Sequence, residues 1–167
     1  MVTCGSREKP NIITLAWVGT VCSDPPMLSI SVRPSRYSNE LVKRQGEFAV
    51  NLPTVDLVRV TDYCGSVSGR KVDKFAATGL TPVPAKAIET ALIAECPINI
   101  ECQVTQVLPL GVHDLFLAKI VAVQVDESLL DAGGAVDLSR AELFTYSDAR
   151  YWRLGQLLGT HGFSAKS

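Results

Sequence analysis

Histidine is scarce in this chain: His113 and His161 are the only two among 167 residues. With so few imidazoles, a His-rich metal centre or a Ser-His-Asp triad has little to draw on. The cysteines Cys4, Cys22, Cys64, Cys96 and Cys102 are odd in number and include no C-x-x-C pair. That argues against a disulfide framework and against structural zinc. Neither sign of charge dominates, since 16 basic and 17 acidic residues leave a net charge of −1. Basic residues run no longer than pairs such as Lys43-Arg44, too little for a nucleic-acid face or a polybasic membrane patch. No stretch reaches the roughly 18 uncharged apolar residues of a membrane span. Met1 to Pro10 lacks the apolar run of a signal peptide.

Nucleotide and hydrolase fingerprints are missing as well. There is no G-x-G-x-x-G, no G-x-x-x-x-G-K-[ST] and no H-E-x-x-H. Gly65-Ser-Val-Ser-Gly69 has the wrong spacing for the G-x-S-x-G nucleophile elbow. What survives these exclusions is a soluble, cytoplasmic protein with reduced thiols.

The chain length predicts one domain spanning residues 1–167. A 47% hydrophobic fraction excludes a disordered chain and exceeds what a lone monomer of this size readily hides. A homodimer interface is the simplest destination for the excess. Ile12 to Cys22 is dense in β-branched and aromatic residues and predicts a strand, stopped by Pro25-Pro26. Met27 to Val32 and Ile98 to Thr105 alternate apolar and polar, as half-buried strands do. Glu47 to Leu52 and Leu115 to Val125 add two more. Between them, Ser38 predicts a helix N-cap, Gly46 its C′ residue, and Pro53-Thr54 a second helix of about ten residues. Leu80 to Ala87, with Pro82 and Pro84, reads as irregular, and Ala165 to Ser167 as a frayed end. Short turns between β-runs, with two short helices inserted, predict a mainly β, antiparallel, Greek-key-like barrel.

The candidate site residues are polar or aromatic groups in or beside apolar strands. Asn11, after Pro10, reads first as a turn residue. Trp17 reads first as core, with a stacking wall for a planar ligand as its alternative. A helix start at Ser38 also attracts phosphate through its free N–H groups and dipole. The loop from Cys64 to Lys71, running into Asp73-Lys74-Phe75, offers glycines, serines and the cations Arg70, Lys71 and Lys74. Such a loop serves equally as a solvated surface or as a phosphate cradle. His113 follows a glycine turn, where it is a strand-entry residue or a hydrogen-bond donor to a ligand. Cys64, beside the loop, is the one thiol that invites a reactivity test. Together these residues suit a flat, phosphorylated ligand.

The same segments carry a resemblance. Lys9-Pro-Asn-Ile-Ile-Thr-Leu-Ala-Trp-Val-Gly19, Asp24 to Leu41, Gly46 to Pro53, Asp62-Tyr-Cys-Gly65, Ser68-Gly-Arg70, Asp73-Lys-Phe75, Glu95 to Cys102, Gly111-Val-His-Asp114 and Tyr151-Trp-Arg-Leu-Gly155 occur in order along the chain. They resemble the flavoredoxin and flavin reductase-like proteins, which bind FMN in a split β-barrel. The resemblance implies FMN at a homodimer interface, contacted by Asn11, Thr14, Trp17, Arg36, Ser38, Lys74, His113 and Tyr146. Arg36 and Ser38 would lie nearest the phosphate, and Thr14 would line the ring. Lys74 and His113 are the candidates for tuning the flavin. It implies NAD(P)H as electron donor for a flavin reductase, or a protein redox partner for a flavoredoxin-type carrier. A non-redox barrel binding another phosphorylated ligand is the remaining alternative.

Overall fold

The computed structural model describes residues 1–165; Lys166 and Ser167, in the stretch expected to fray, lie outside the described residues. In chain order the elements are β1 (Val2–Cys4), β2 (Asn11–Ile13), β3 (Val18–Ser23), β4 (Pro26–Val32), α1 (Tyr37–Gln45), β5 (Glu47–Leu52) and α2 (Val58–Ser66). They continue with α3 (Lys74–Thr78), β6 (Pro82–Pro84), β7 (Ala91–Ile93), β8 (Ile98–Pro109), β9 (Asp114–Val125), β10 (Phe144–Ser147) and β11 (Arg150–Arg153). Seven strands form one antiparallel sheet in the order β2-β1-β5-β8-β9-β4-β3.

That order explains why the sheet closes. β2 and β3 are its two opposite edges, yet only Thr14 to Trp17 joins them. Laid flat, six inter-strand gaps would hold the edges about 29 Å apart. The linker, even fully extended, reaches about 18 Å. The sheet must curl until its edges nearly meet, which makes a barrel split along one seam. Register shifts between Glu101 and Cys102 and between Val104 and Gln106 bend the long β8–β9 ribbon to the same end. Phe48, Phe116, Ile30, Leu41 and Val42 fill the interior.

Several local expectations give way to this closure. The apolar stretch from Ile12 to Cys22 is two strands separated by the Thr14–Trp17 crossing, not one. Ser38 is not a cap: Arg36 occupies that position in extended conformation, and no side chain caps α1. The turn that brings the Arg36 N–H to the Arg33 carbonyl starts the helix earlier. Gly46 does end α1 in the left-handed conformation, with its N–H on Val42 O. Cys64, Gly65 and Ser66 form the last turn of α2 rather than loop, and residues 82–84 pair with β7 instead of being irregular.

In β8 the alternation does not carry over to burial: Asn99 and Glu101, expected to face solvent, are buried beside Ile98 and Cys102. The segment 85–90 covers Glu101, whose carboxylate accepts the N–H groups of Lys86 (3.0 Å) and Ala87 (2.6 Å) and the amide of Gln124 (2.7 Å). Burial pushes this carboxyl up, but its donors outweigh that and hold it below the ordinary value. A carboxyl depressed by folding stabilises above its unfolded value, about 4.3. The contribution is lost as pH falls through the folded value. Glu101→Gln turns one acceptor into a donor facing N–H groups, at a cost of about 1–3 kcal/mol. Urea unfolding across an acidic pH series should show that loss at neutral pH and a flatter acid limb for the variant.

Candidate functional site

The seam of the barrel carries a trough. The Ile13–Trp17 crossing forms its spine, and two adjoining cavities share Ile13 and Arg36 as lining. The smaller, about 220 Å³, lies between the start of α1 (Ser35, Arg36, Ser38), the loop Val67–Gly69 and Lys74. The larger, about 500 Å³, is bounded by Thr14, Trp17, Arg33, His113 and Tyr146. A side cavity of about 210 Å³ shares Thr14 to Ala16 and Tyr146 with it and adds Asp62, Ser66 and Tyr151.

The smaller cavity is built for an anion. The first turn of α1 leaves its leading N–H groups without intrahelical partners, and the helix dipole adds to their pull. Ser38, second in the helix and buried, accepts the Asn11 amide at 2.8 Å, which leaves its hydroxyl hydrogen as a donor. Lys74 opens α3 behind its cap Asp73, whose side chain accepts the Ala76 N–H. Its Nζ is buried and donates to the carbonyls of Ile12 and Cys64, both at 2.6 Å. Those bonds tie β2 to the end of α2 and leave one ammonium proton for the cavity that Lys74 lines. Burial lowers the Lys74 pKa and Arg36 adds to this, while the Cys64 and Cys4 thiols oppose it. An anion beside this ammonium would restore what burial takes away.

Glycine makes the wall thin. A Cβ on Gly69 would stand 1.9 Å from Asn11 Oδ1, so the loop lies against the Asn11 amide as only glycine allows. Gly65 is close too, with a Cβ there 3.1 Å from Thr14 Cβ, and Thr14 Oγ1 donates to the Thr61 carbonyl. These contacts dock α2 onto the crossing.

The larger cavity has flat walls. Trp17 is 61% exposed, which overturns its reading as core. It lies at the seam, with the His113 ring 4.6 Å away between centroids and tilted by 48°. Gly111 in the left-handed conformation and the bond from the Leu110 N–H to the His113 carbonyl form the turn that presents His113. Tyr146, on the β10–β11 hairpin, packs against Tyr151, which donates to Asp62 at 2.9 Å. Burial and the neighbouring Asp62 push the Tyr151 phenol up to about 12.

Seven of the eight residues expected from sequence therefore line the two main cavities. Asn11 does not: it sits in β2 opposite Cys4, not in a turn, donates to Ser38, and lines a neighbouring cavity of about 440 Å³ that shares Tyr37 and Gly69 with the anion pocket. Cys64 is fully buried and its thiol is pushed up by burial, so it packs rather than reacts. Arg33 and the Asp62–Tyr151 pair were not among the candidate site residues, and Ser68 was covered only as one of the loop serines. Asp62 and Tyr151 lie 89 positions apart, and no local pattern joins them.

The residues fit a flavin nucleotide: a donor-lined anion pocket opens into a cavity with aromatic walls. The comparisons agree. The family model for the flavin reductase like domain matches residues 1–152. The solved flavoredoxin of Desulfovibrio vulgaris (Miyazaki F) superposes with a TM-score of 0.91 at 32% identity, covering 99% of this chain and 90% of that one. The flavoredoxin of Methanosarcina acetivorans gives 0.88 at 33% identity, with the same coverage. An NADH-dependent FMN reductase of Streptomyces nodosus subsp. asukaensis is 28% identical over 128 residues, 77% of this chain and 68% of that protein. With the split barrel, the trough on its seam and this match across nearly its whole length, the chain belongs to the flavin reductase like domain family.

Proposed function

We propose that the protein is an FMN-dependent oxidoreductase of the NAD(P)H:flavin reductase type. The observation that carries this reading is the trough itself: an anion pocket at the start of α1, with Ser38 and Lys74, continuous with the Trp17–His113 cavity. FMN, when bound, supplies hydride and electron transfer at flavin N5. The protein binds and orients it. Arg36, Ser38, the α1 N–H groups and Lys74 hold the phosphate; Thr14, Trp17, His113 and Tyr146 border the ring. Because Lys74 lines the anion pocket and not the ring cavity, its ammonium serves FMN affinity, and His113 is the group placed to tune the ring.

A second reading is favoured by the two flavoredoxins, which match 99% of the chain. In it the protein is an electron carrier with tightly held FMN and a protein redox partner. Both readings place two copies together. Val18 and Val21 of the edge strand β3 are exposed, as is Trp17 just before it, and Leu157 and Leu158 are largely exposed beyond β11. Such a surface supports a homodimer that covers the seam.

The test is anaerobic. Protein reconstituted with FMN should show a flavin absorbance band that bleaches on adding NADH or NADPH. A band that persists with both nucleotides but bleaches with a reduced ferredoxin would favour the carrier. No band at micromolar FMN would overturn both and leave a barrel for another phosphorylated ligand.

A further inference from the structure

The two ends of the trough hang on neighbouring strands, at the end of β4 and the start of β9. The anion pocket depends on the start of α1, which follows β4, whereas His113 sits on the turn that opens β9. A buried carboxylate joins them. Asp114, the residue after His113, is 3% exposed and lies opposite Val32 of β4 and Pro109 of β8. Its Oδ2 accepts from the Asn39 amide at 2.8 Å and from Lys43 Nζ at 2.7 Å. Both donors belong to α1, whose leading residues line the anion pocket. Asn39 Nδ2 also donates to the Val32 carbonyl at 3.1 Å, so one amide grips the end of β4 and the start of β9 together.

A buried charge costs free energy unless it is paired and hydrogen-bonded. Lys43 and Asn39 meet that demand and hold the Asp114 carboxyl below the usual carboxylate range. The neighbouring turn needs none of this for its own geometry, because Gly111 and the Leu110–His113 bond already close it. What the carboxylate adds is a fixed distance between that turn and α1.

We propose that the Asn39–Asp114–Lys43 clamp sets the span between the two ends of the trough, making Asp114 a positioning residue for a ligand that must occupy both ends at once. The inference rests on the reading of the trough as an FMN site. Asp114 touches neither end itself. Its effect comes through the register of His113 against the α1 N-terminus. A ligand bridging both ends gains from their fixed separation, as a linked pair of binding groups gains from effective concentration. A ligand held at one end gains nothing from it.

That difference defines the experiment. FMN and riboflavin share the ring, and only FMN carries the phosphate. Asp114→Ala should weaken FMN binding about tenfold while changing riboflavin binding less than about twofold, so the preference for phosphate collapses. Lys43→Met, at a half-exposed side chain, should shift the same ratio in the same direction by a smaller factor. Asp114→Asn, which keeps an acceptor for Asn39, should recover part of the preference. The two milder variants carry the test should Asp114→Ala fail to fold. Equal weakening of FMN and riboflavin, or no change in either, would overturn the clamp while leaving the FMN reading intact. Wild-type protein that binds neither flavin would overturn that reading, and the clamp with it.

Discussion

Replacing Lys74 by methionine should weaken FMN binding by one to two orders of magnitude. The side chain is 3% exposed, and its ammonium holds the carbonyls of Ile12 and Cys64 while lining the anion pocket. A hydrogen bond to a charged group contributes about 1.5–3 kcal/mol, or roughly 10- to 150-fold in affinity. Methionine keeps the length and apolar stem, so the fold survives while two buried carbonyls lose their donor. The protein should also lose stability, by about 1–3 kcal/mol. In any variant that retains FMN, the flavin reduction potential should stay near the wild-type value, because Lys74 lines the anion pocket and not the ring cavity. Isothermal titration with FMN and a potential measured against a reference dye check the two expectations separately. An unchanged affinity would remove Lys74 from the site.

Gly69→Ala should be nearly as damaging, for a steric reason. The added Cβ would stand 1.9 Å from Asn11 Oδ1 and 2.8 Å from Asn11 Cγ. Asn11 cannot swing away cheaply, since it is buried and donates to Ser38 Oγ. Either the loop 67–71 lifts off the pocket, or Asn11 moves and releases Ser38. Overpacking of this kind costs about 1–3 kcal/mol. Both routes open the phosphate end, so FMN affinity should drop about tenfold or more while riboflavin changes little. A fluorescence titration with each flavin measures the split. The same loss for both ligands would mean that the damage is global.

The sequence was most legible where structure is local. Met27 to Val32 shows Leu28, Ile30 and Val32 inward in alternation, as period-two patterning requires. Gly46 announced the end of α1, and Glu47 to Leu52 a strand of those same bounds. Reading failed where long-range closure overrules local preference. Nothing between Ile12 and Cys22 marks a break, because the break comes from joining opposite edges of a curled sheet. Ser38 has the composition of a cap, but its hydroxyl is claimed by Asn11, 27 positions away. Trp17 looks like core by residue type, yet the seam places it at the surface. The buried ammonium of Lys74 is likewise invisible to composition, since lysines usually face water. Lys74 was named among the loop cations and again through the family resemblance, whereas its bonds to Ile12 and Cys64 emerge only from the fold.

The proposed function requires FMN to lie along the seam with its ring beside Trp17. The chain has two tryptophans, Trp17 and Trp152, so Trp152→Phe leaves Trp17 as the sole indole reporter. FMN titrated into that variant should quench Trp17 emission to a sharp end point at one flavin per chain, with the quench weakened in the Lys74→Met background. Flavin that binds at that stoichiometry without quenching Trp17, or no binding at micromolar FMN, would contradict it.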